Sequence, residues 1–412
     1  MYEEHLSRML KVKTIAGDSF AEFESLLAEL YPLTFARLER IPIRNALLLR
    51  WKTSNPGAVL LMAHADVVPA AGNWTRDPWG GEIDGGKIWG RGAMDNKAAL
   101  LGILEAVEGL LSDGYAPPHD VYVLSSYNEE TMGDGAVGAR DWFAENGVRL
   151  ALVSDEGGYV MTPPIPGVSG VYSLLGAGEK GVANIRFTAK SGGGHASAPP
   201  RDTPLARLAA FITEVENDGG LFPRRVTPII RGLMDALSPG LTDGEIIGRL
   251  SQTPQGEALI RATCAFTMAA GSKYPNVIDG ASVTANVRFV SHQPSEEVIG
   301  ALESAAHRHG LDAEVLYKFE SNPDVDMSID MFQSVKHVTE RVFPDFPAVP
   351  WVMTAGTDSR HFAWICPCVV RFNPTFLTPG QRGTMHGADE NINVGALPKA
   401  VEFYRELIKI GI

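Results

Sequence analysis

The sequence predicts an α/β protein: a layered domain interrupted by a smaller α+β unit of order β-α-β-β-α-β. Three observations carry this. Continuous apolar runs alternate with helical stretches over residues 58–154. Strict apolar–polar alternation replaces them from residue 182. Acidic and imidazole side chains gather where the apolar runs end, the place where ligands collect in open α/β sheets. A chain of 412 residues accommodates two domains.

The elements follow in order. Residues 58–63 (Ala-Val-Leu-Leu-Met-Ala) form an apolar run ending at His64, the mark of a buried central strand. Residues 97–111 have helical composition and length, residues 121–126 form a second strand, and residues 150–154 form a third that ends at Asp155. Residues 182–190 alternate as a half-buried strand. Asp202 and Thr203 can cap a helix that carries Pro204 in its first turn and runs to about Asn217. Residues 264–269 and 281–290 read as strands, 295–309 as a helix with Glu296 and Glu297 in its first turn and Gly310 after it, and 312–319 as a last strand. The stretch 221–262 is a helical excursion within this unit. The predicted division is therefore 1–181, an inserted 182–320, and 321–412, which ends in a helix near 396–410.

Composition excludes several classes. The net charge of −13 disfavours a nucleic-acid partner, which needs clustered Lys and Arg. Three cysteines are too few for a disulfide scaffold and fit a reducing compartment; Cys366 and Cys368 lack zinc-knuckle spacing. No apolar run reaches the roughly 18 residues that span a bilayer. The start, Met1-Tyr-Glu-Glu-His, does not read as a signal peptide. The expectation is a cytoplasmic protein with no membrane partner.

Two histidines frame the candidate site: His64, two residues before Asp66, and His386 in Met385-His386-Gly387. Between them lie Asp95 before the 97–111 helix, the pair Glu129-Glu130, and the pair Asp155-Glu156. Imidazoles with carboxylates, and one spare carboxylate to activate water, are the side chains of a two-metal hydrolase. Each has an ordinary alternative: an inert strand-end dyad, a helix-capping aspartate, a solvated acidic loop. Their joint placement after buried strands favours the metal reading. Asp66 is placed to orient the far nitrogen of His64. Only one of Asp155 and Glu156 is expected to face the metals.

The segments His64-Ala-Asp66-Val-Val-Pro, Gly90-Arg-Gly-Ala-Met-Asp95-Asn-Lys, Asn128-Glu-Glu-Thr-Met-Gly, Ser154-Asp-Glu-Gly, Gly194-His195-Ala-Ser, Pro275-Asn276-Val-Ile, Asn286-Val-Arg288, Gly356-Thr-Asp-Ser-Arg-His361-Phe and Met385-His386-Gly together resemble the M20 metallopeptidases, nearest the carboxypeptidase S and aminoacylase-like branch. The resemblance spans nearly the whole chain, in order. It implies a zinc-peptidase-like catalytic domain with an inserted lid or dimerisation domain, and two Zn2+, with Co2+ or Mn2+ as alternatives. One metal would be held by His64, Asp95 and Asp155, the other by Asp95, Glu130 and His386, with a cis peptide between Asp95 and Asn96. Relatives carry either acid at the 155–156 pair, and Asp155 is the expected ligand. Glu129 would be the general base. His195 would donate to the developing oxyanion, and Arg288, Asn276, Gly356 and Thr357 would contact substrate. Aspartate at 279, where the family often has proline, departs from the pattern.

The implied activity is cleavage of an amide bond beside a free carboxylate, in an N-acyl amino acid or small peptide. The rivals are a dipeptidase or aminopeptidase that requires a free amino group, and a metal-stabilised binding protein without turnover. The resemblance also implies a homodimer through the lid, with residues 182–190 and the helix from 203 at the interface.

Overall fold

The apolar run before His64 forms the strand Ala58–Met62, and its alternation explains why no polar residue interrupts it. Val59 and Leu61 enter the larger hydrophobic core, while Ala58, Leu60 and Met62 enter a second core on the opposite face. A strand covered on both sides has no solvent face to mark with polar residues. The strand Asp120–Ser126 divides in the same way, with Val121 and Val123 on one side and Tyr122 and Leu124 on the other.

In the computed structural model, which describes residues 1–55, 57–217 and 220–412, these strands belong to an eight-stranded sheet. Its order among the described residues is Glu39–Ile43, Ala46–Trp51, Asp120–Ser126, Ala58–Met62, Leu150–Met161, Val369–Phe376, Tyr172–Glu179 and Ala348–Met353. The four strands from Asp120–Ser126 to Val369–Phe376 are mutually parallel. Their carboxyl ends therefore lie on one side. The helix Lys97–Ser112 packs on this sheet beside the terminal helix Ala396–Ile408. Gly102 lets them approach, since a Cβ there would lie 3.1 Å from the Tyr404 ring.

The strand expected to end at Asp155 instead runs on to Met161. This extension carries Asp155 and Glu156 within the strand, at a bulge where its pairing with Val369–Phe376 shifts register between Asp155 and Gly158.

The smaller sheet has the order Thr263–Ala270, Ala281–Phe289, Gly181–Ala189 and Asp312–Phe319, and every pairing is antiparallel. With the helices Pro204–Glu216 and Ser295–Arg308 it realises the predicted β-α-β-β-α-β order. Ala183, Ile185, Phe187, Ala285, Val287 and Phe289 alternate into a separate core beneath these helices. Residues 182–190, expected at an interface, form a strand paired on both sides, so its backbone edge is already used. The sheet's open edges belong to Thr263–Ala270 and Asp312–Phe319.

The 221–262 stretch is helical, as Pro228–Leu237, Asp243–Leu250 and Pro254–Ile260. Thr227 and Thr253 accept from the backbone N–H groups of Ile230 and Gly256, and Thr242 forms a reciprocal capping box with Glu245. The buried faces of these helices, including Ile230, Leu233, Leu250 and Ile260, join the larger core rather than the smaller one.

Candidate metal centre

Each acidic or imidazole group reaches the site from the carboxyl end of a parallel strand or from a loop beside it. His64 follows Ala58–Met62 and is buried. Its Nδ1 lies 2.9 Å from the carbonyl oxygen of Asp66. An N–H at Nδ1 donates there and leaves the Nε2 lone pair for a cation. Asp66 thus orients His64 through its backbone carbonyl. Its carboxylate is 3.6 Å from Nδ1, beyond a hydrogen bond. It accepts instead from the backbone N–H groups of Glu129 and Glu130, each at 3.0 Å, and so fixes the turn that carries both acids.

Asp95 lies at the centre. Its Oδ1 is 3.0 Å from His64 Nε2 and its Oδ2 is 3.0 Å from His386 Nε2. The Asp95–Asn96 peptide is cis. His386 sits at φ +57° and is half exposed, opening the cluster to solvent on its side. Its Nε2 is also 3.2 Å from Glu130 Oε2. Across the cluster, Glu156 Oε1 is 3.4 Å from His64 Nε2. Ligand atoms of His64, Asp95 and Glu130 lie within 4.8 Å of one another, as do those of His64, Glu129 and Glu156.

Asp155, the acid expected to bind metal, is not in this group. It is buried, and its Oδ2 accepts from Ser359 N–H at 2.8 Å. Its neighbour Glu156 is the acid of this pair whose oxygen lies beside His64 Nε2.

Glu390 holds the Asp95 loop and had no distinguishing signal in the sequence. Its carboxylate accepts from Arg91 Nη1 at 2.6 Å and from the backbone N–H groups of Gly92, Met94 and Asp95 at 2.9, 2.8 and 3.1 Å. Arg91 Nη2 also donates to the Gly387 carbonyl at 2.7 Å, which ties the Asp95 loop to the His386 turn.

The predicted substrate contacts lie further out. His195 and Asn276 are exposed, on loops joined by Ala196 N–H to Asn276 C=O and Ile278 N–H to Gly194 C=O, both 3.0 Å. His195 Nδ1 is 2.8 Å from Ser197 Oγ, and among the described residues no hydrogen bond joins His195 to the cluster. Arg288 is half-buried and donates to Asn286 Oδ1 at 3.0 Å, on the sheet face opposite the small core. Gly356 is half-buried and Thr357 is buried.

The charges explain what the cluster accommodates. Hydrogen bonds donated to Asp95 and then to Glu130 push His386 up to about 10. Burial pushes Glu156 up to about 8, with the charge of Asp95 adding to it. Burial, and then Glu156, raise Glu129 well above the usual carboxyl range. Burial opposes the charged form of His64, but the surrounding carboxylates, led by Glu156, outweigh it and raise its pKa. Too many acids surround two imidazoles, so protons are drawn in. A divalent cation satisfies the same acids while the imidazoles stay neutral. Glu130 Oε1 is buried without a hydrogen-bond partner among the described residues, which fits an oxygen meant for a cation.

The profile of peptidase family M20/M25/M40 matches residues 60–410. The chain belongs to this family. It is 31% identical to an N-fatty-acyl-amino acid synthase/hydrolase of Danio rerio, over 85% of this chain and 72% of that protein. It is 30% identical to a probable carboxypeptidase S-like protein of Dictyostelium discoideum, over 98% of this chain and 84% of that one. An M20 family metallo-carboxypeptidase from Sulfolobus solfataricus shares the fold at 19% identity, with a TM-score of 0.73 over 99% of this chain and 98% of that one. A dinuclear metal-binding M20 peptidase of Bacillus subtilis superposes with a TM-score of 0.62 at 14% identity, over 99% and 97% of the two chains. The chain is therefore an M20 family hydrolase, with the mixed α/β fold that its sequence predicted.

Proposed function

We propose that this M20 hydrolase is a di-zinc amidohydrolase that releases an amino acid from an N-acyl amino acid or small peptide bearing a free carboxylate. The observation that carries it is the Asp95 carboxylate, with one oxygen 3.0 Å from each of the two histidines. His64, Asp95 and Glu156 would hold one cation, and Asp95, Glu130 and His386 the other. Two zinc ions there would supply Lewis-acid polarisation of the carbonyl and lower the pKa of water.

The chain's own residues do the rest. The Glu129 carboxylate takes the proton of the attacking water and gives it to the leaving nitrogen. Its carboxylate oxygen lies within 4.8 Å of the ligand atoms of His64 and Glu156, beside the place where that water would stand. Arg288, Asn276 and the Gly356 turn bind the substrate's carboxyl end, and His195 donates to the oxyanion. Residues 182–320 act as the lid that brings Arg288, Asn276 and His195 over the cluster, while the Gly356 turn belongs to the larger domain. The two relatives named for N-fatty-acyl-amino acids and for carboxypeptidase S both support a substrate with a carboxylate beside the scissile amide.

The test is amine release from matched N-acyl amino acids, dipeptides and N-acyl dipeptides, with and without chelator, at measured metal content. Chelator-sensitive release from N-acyl amino acids supports the proposal. Turnover only of substrates with a free amino group replaces it with a dipeptidase, and binding without release from metal-loaded protein removes catalysis.

A further inference from the structure

Glu179 ends the strand Tyr172–Glu179, two residues before Gly181 opens the strand Gly181–Ala189 of the smaller sheet. It is 4% exposed, and Arg371, whose Nε donates to Glu179 Oε2 at 2.5 Å, is 0% exposed. Replacing a buried ion pair with apolar residues often leaves stability unchanged or raises it, so stability alone does not account for this pair. The other hydrogen bonds of the carboxylate supply a reason. The Thr357 backbone N–H donates to Glu179 Oε1 and the Thr357 hydroxyl to Oε2, both at 3.1 Å.

Thr357 Oγ1 also lies 2.7 Å from Ser359 Oγ. A carboxylate only accepts, so the Thr357 proton goes to Glu179 and the Ser359 hydroxyl donates to Thr357. Ser359 N–H then donates to Asp155, the neighbour of Glu156. Both donors of Thr357 are thus spent on a carboxylate of the protein, and neither is left for a substrate. The far end of the same turn is held from the smaller sheet: the Arg360 guanidinium lies 5.3 Å over the ring of Phe319, the last residue of Asp312–Phe319. A Cβ at Gly356 would stand 3.0 Å from Arg360 Nη1, so the turn keeps Gly356 and this guanidinium in contact.

We propose that Glu179, backed by Arg371, is a positioning residue that holds the Gly356–Arg360 turn where it completes, with Arg288, the seat of the substrate carboxylate. Thr357 then acts through the shape of the turn rather than by touching substrate. This rests on the carboxylate recognition proposed above.

The test compares an N-acyl amino acid with the matching N-acyl amine, which has the same scissile amide and no carboxylate, on the metal-loaded enzyme. In Glu179→Gln, KM for the acid rises about tenfold with kcat within about threefold, because the turn loses its charge-assisted anchor and the carboxylate its seat. Turnover of the N-acyl amine and the metal content stay at wild-type values. Arg371→Lys keeps the buried charge but not the guanidinium geometry; it gives the same selective rise and serves if Glu179→Gln does not fold. Equal losses on both substrates, or a lower melting temperature with KM unmoved, overturn the positioning role. A wild-type enzyme that does not distinguish the two substrates overturns carboxylate recognition itself, whatever the variants do.

Discussion

Glu129 and Glu130 are chain neighbours with different surroundings. Glu130 Oε2 is 3.2 Å from His386, while Glu129 is raised by burial and by the charge of Glu156. Glu129→Ala should therefore lower kcat by about 10²–10⁴-fold, the usual worth of a general base, while two equivalents of metal remain by elemental analysis. Near wild-type turnover would remove Glu129 from the reaction. Asp155 and Glu156 give a sharper contrast. Glu156→Gln should lose the metal next to His64, and Asp155→Asn should keep it and lose thermal stability, because its carboxylate holds Ser359. Retention of both metals in Glu156→Gln would return the ligand role to Asp155. The sequence showed that one of this pair belongs in the cluster, but not which. That choice depends on which face of the strand meets the cluster, and the apolar run before Asp155 is buried on both faces and carries no such mark.

Among elements, the Asp95 loop depends on Glu390, almost three hundred residues away in sequence. Four donors converge on one buried carboxylate, and Arg91 reaches on to the His386 turn. Loss of this support should weaken both histidine-bearing sides together. Glu390→Gln should lower metal affinity about 10–100-fold in a chelator competition, the range for groups that orient ligands. Glu390→Ala, which leaves Arg91 buried and unpaired, should also cost about 3–5 kcal/mol in urea unfolding. Unchanged affinity in both variants would make Glu390 a purely structural residue. The strands and helices that the sequence did predict were legible because period and length are local properties. The run at 58–63, the helix from Lys97 and the alternation after residue 181 each appear within a residue or two of expectation. Glu390 was not legible, since its meaning lies in a contact and its neighbours Asp389 and Asn391 look as polar as it does.

At the scale of the whole molecule, the smaller sheet leaves Thr263–Ala270 as an open edge with no charged residue to guard it. Met268 on this strand is 69% exposed, and Leu205 on the adjoining helix is 63% exposed. An uncharged open edge invites a strand from another chain, and a second copy aligned antiparallel would satisfy both edges by two-fold symmetry. The loop with Asn276 follows this edge and is hydrogen-bonded to the loop with His195, so a partner there would meet both. Among the described residues the His195 side chain makes its hydrogen bonds within its own loop, which leaves it available to the other subunit's cluster. Sedimentation should then give a dimer for the wild type and a monomer for Met268→Lys, with most amidase activity lost in the monomer. Mixing separates a shared site from mere dimer stability. His195→Ala and Glu129→Ala should each be inactive alone. Unfolded together and refolded, they form heterodimers with one cluster that has its own Glu129 and the partner's His195. Random pairing then restores about a quarter of wild-type activity. A mixture no more active than its components would place His195 in its own subunit's site or outside the reaction, and the open edge would then have no part in catalysis.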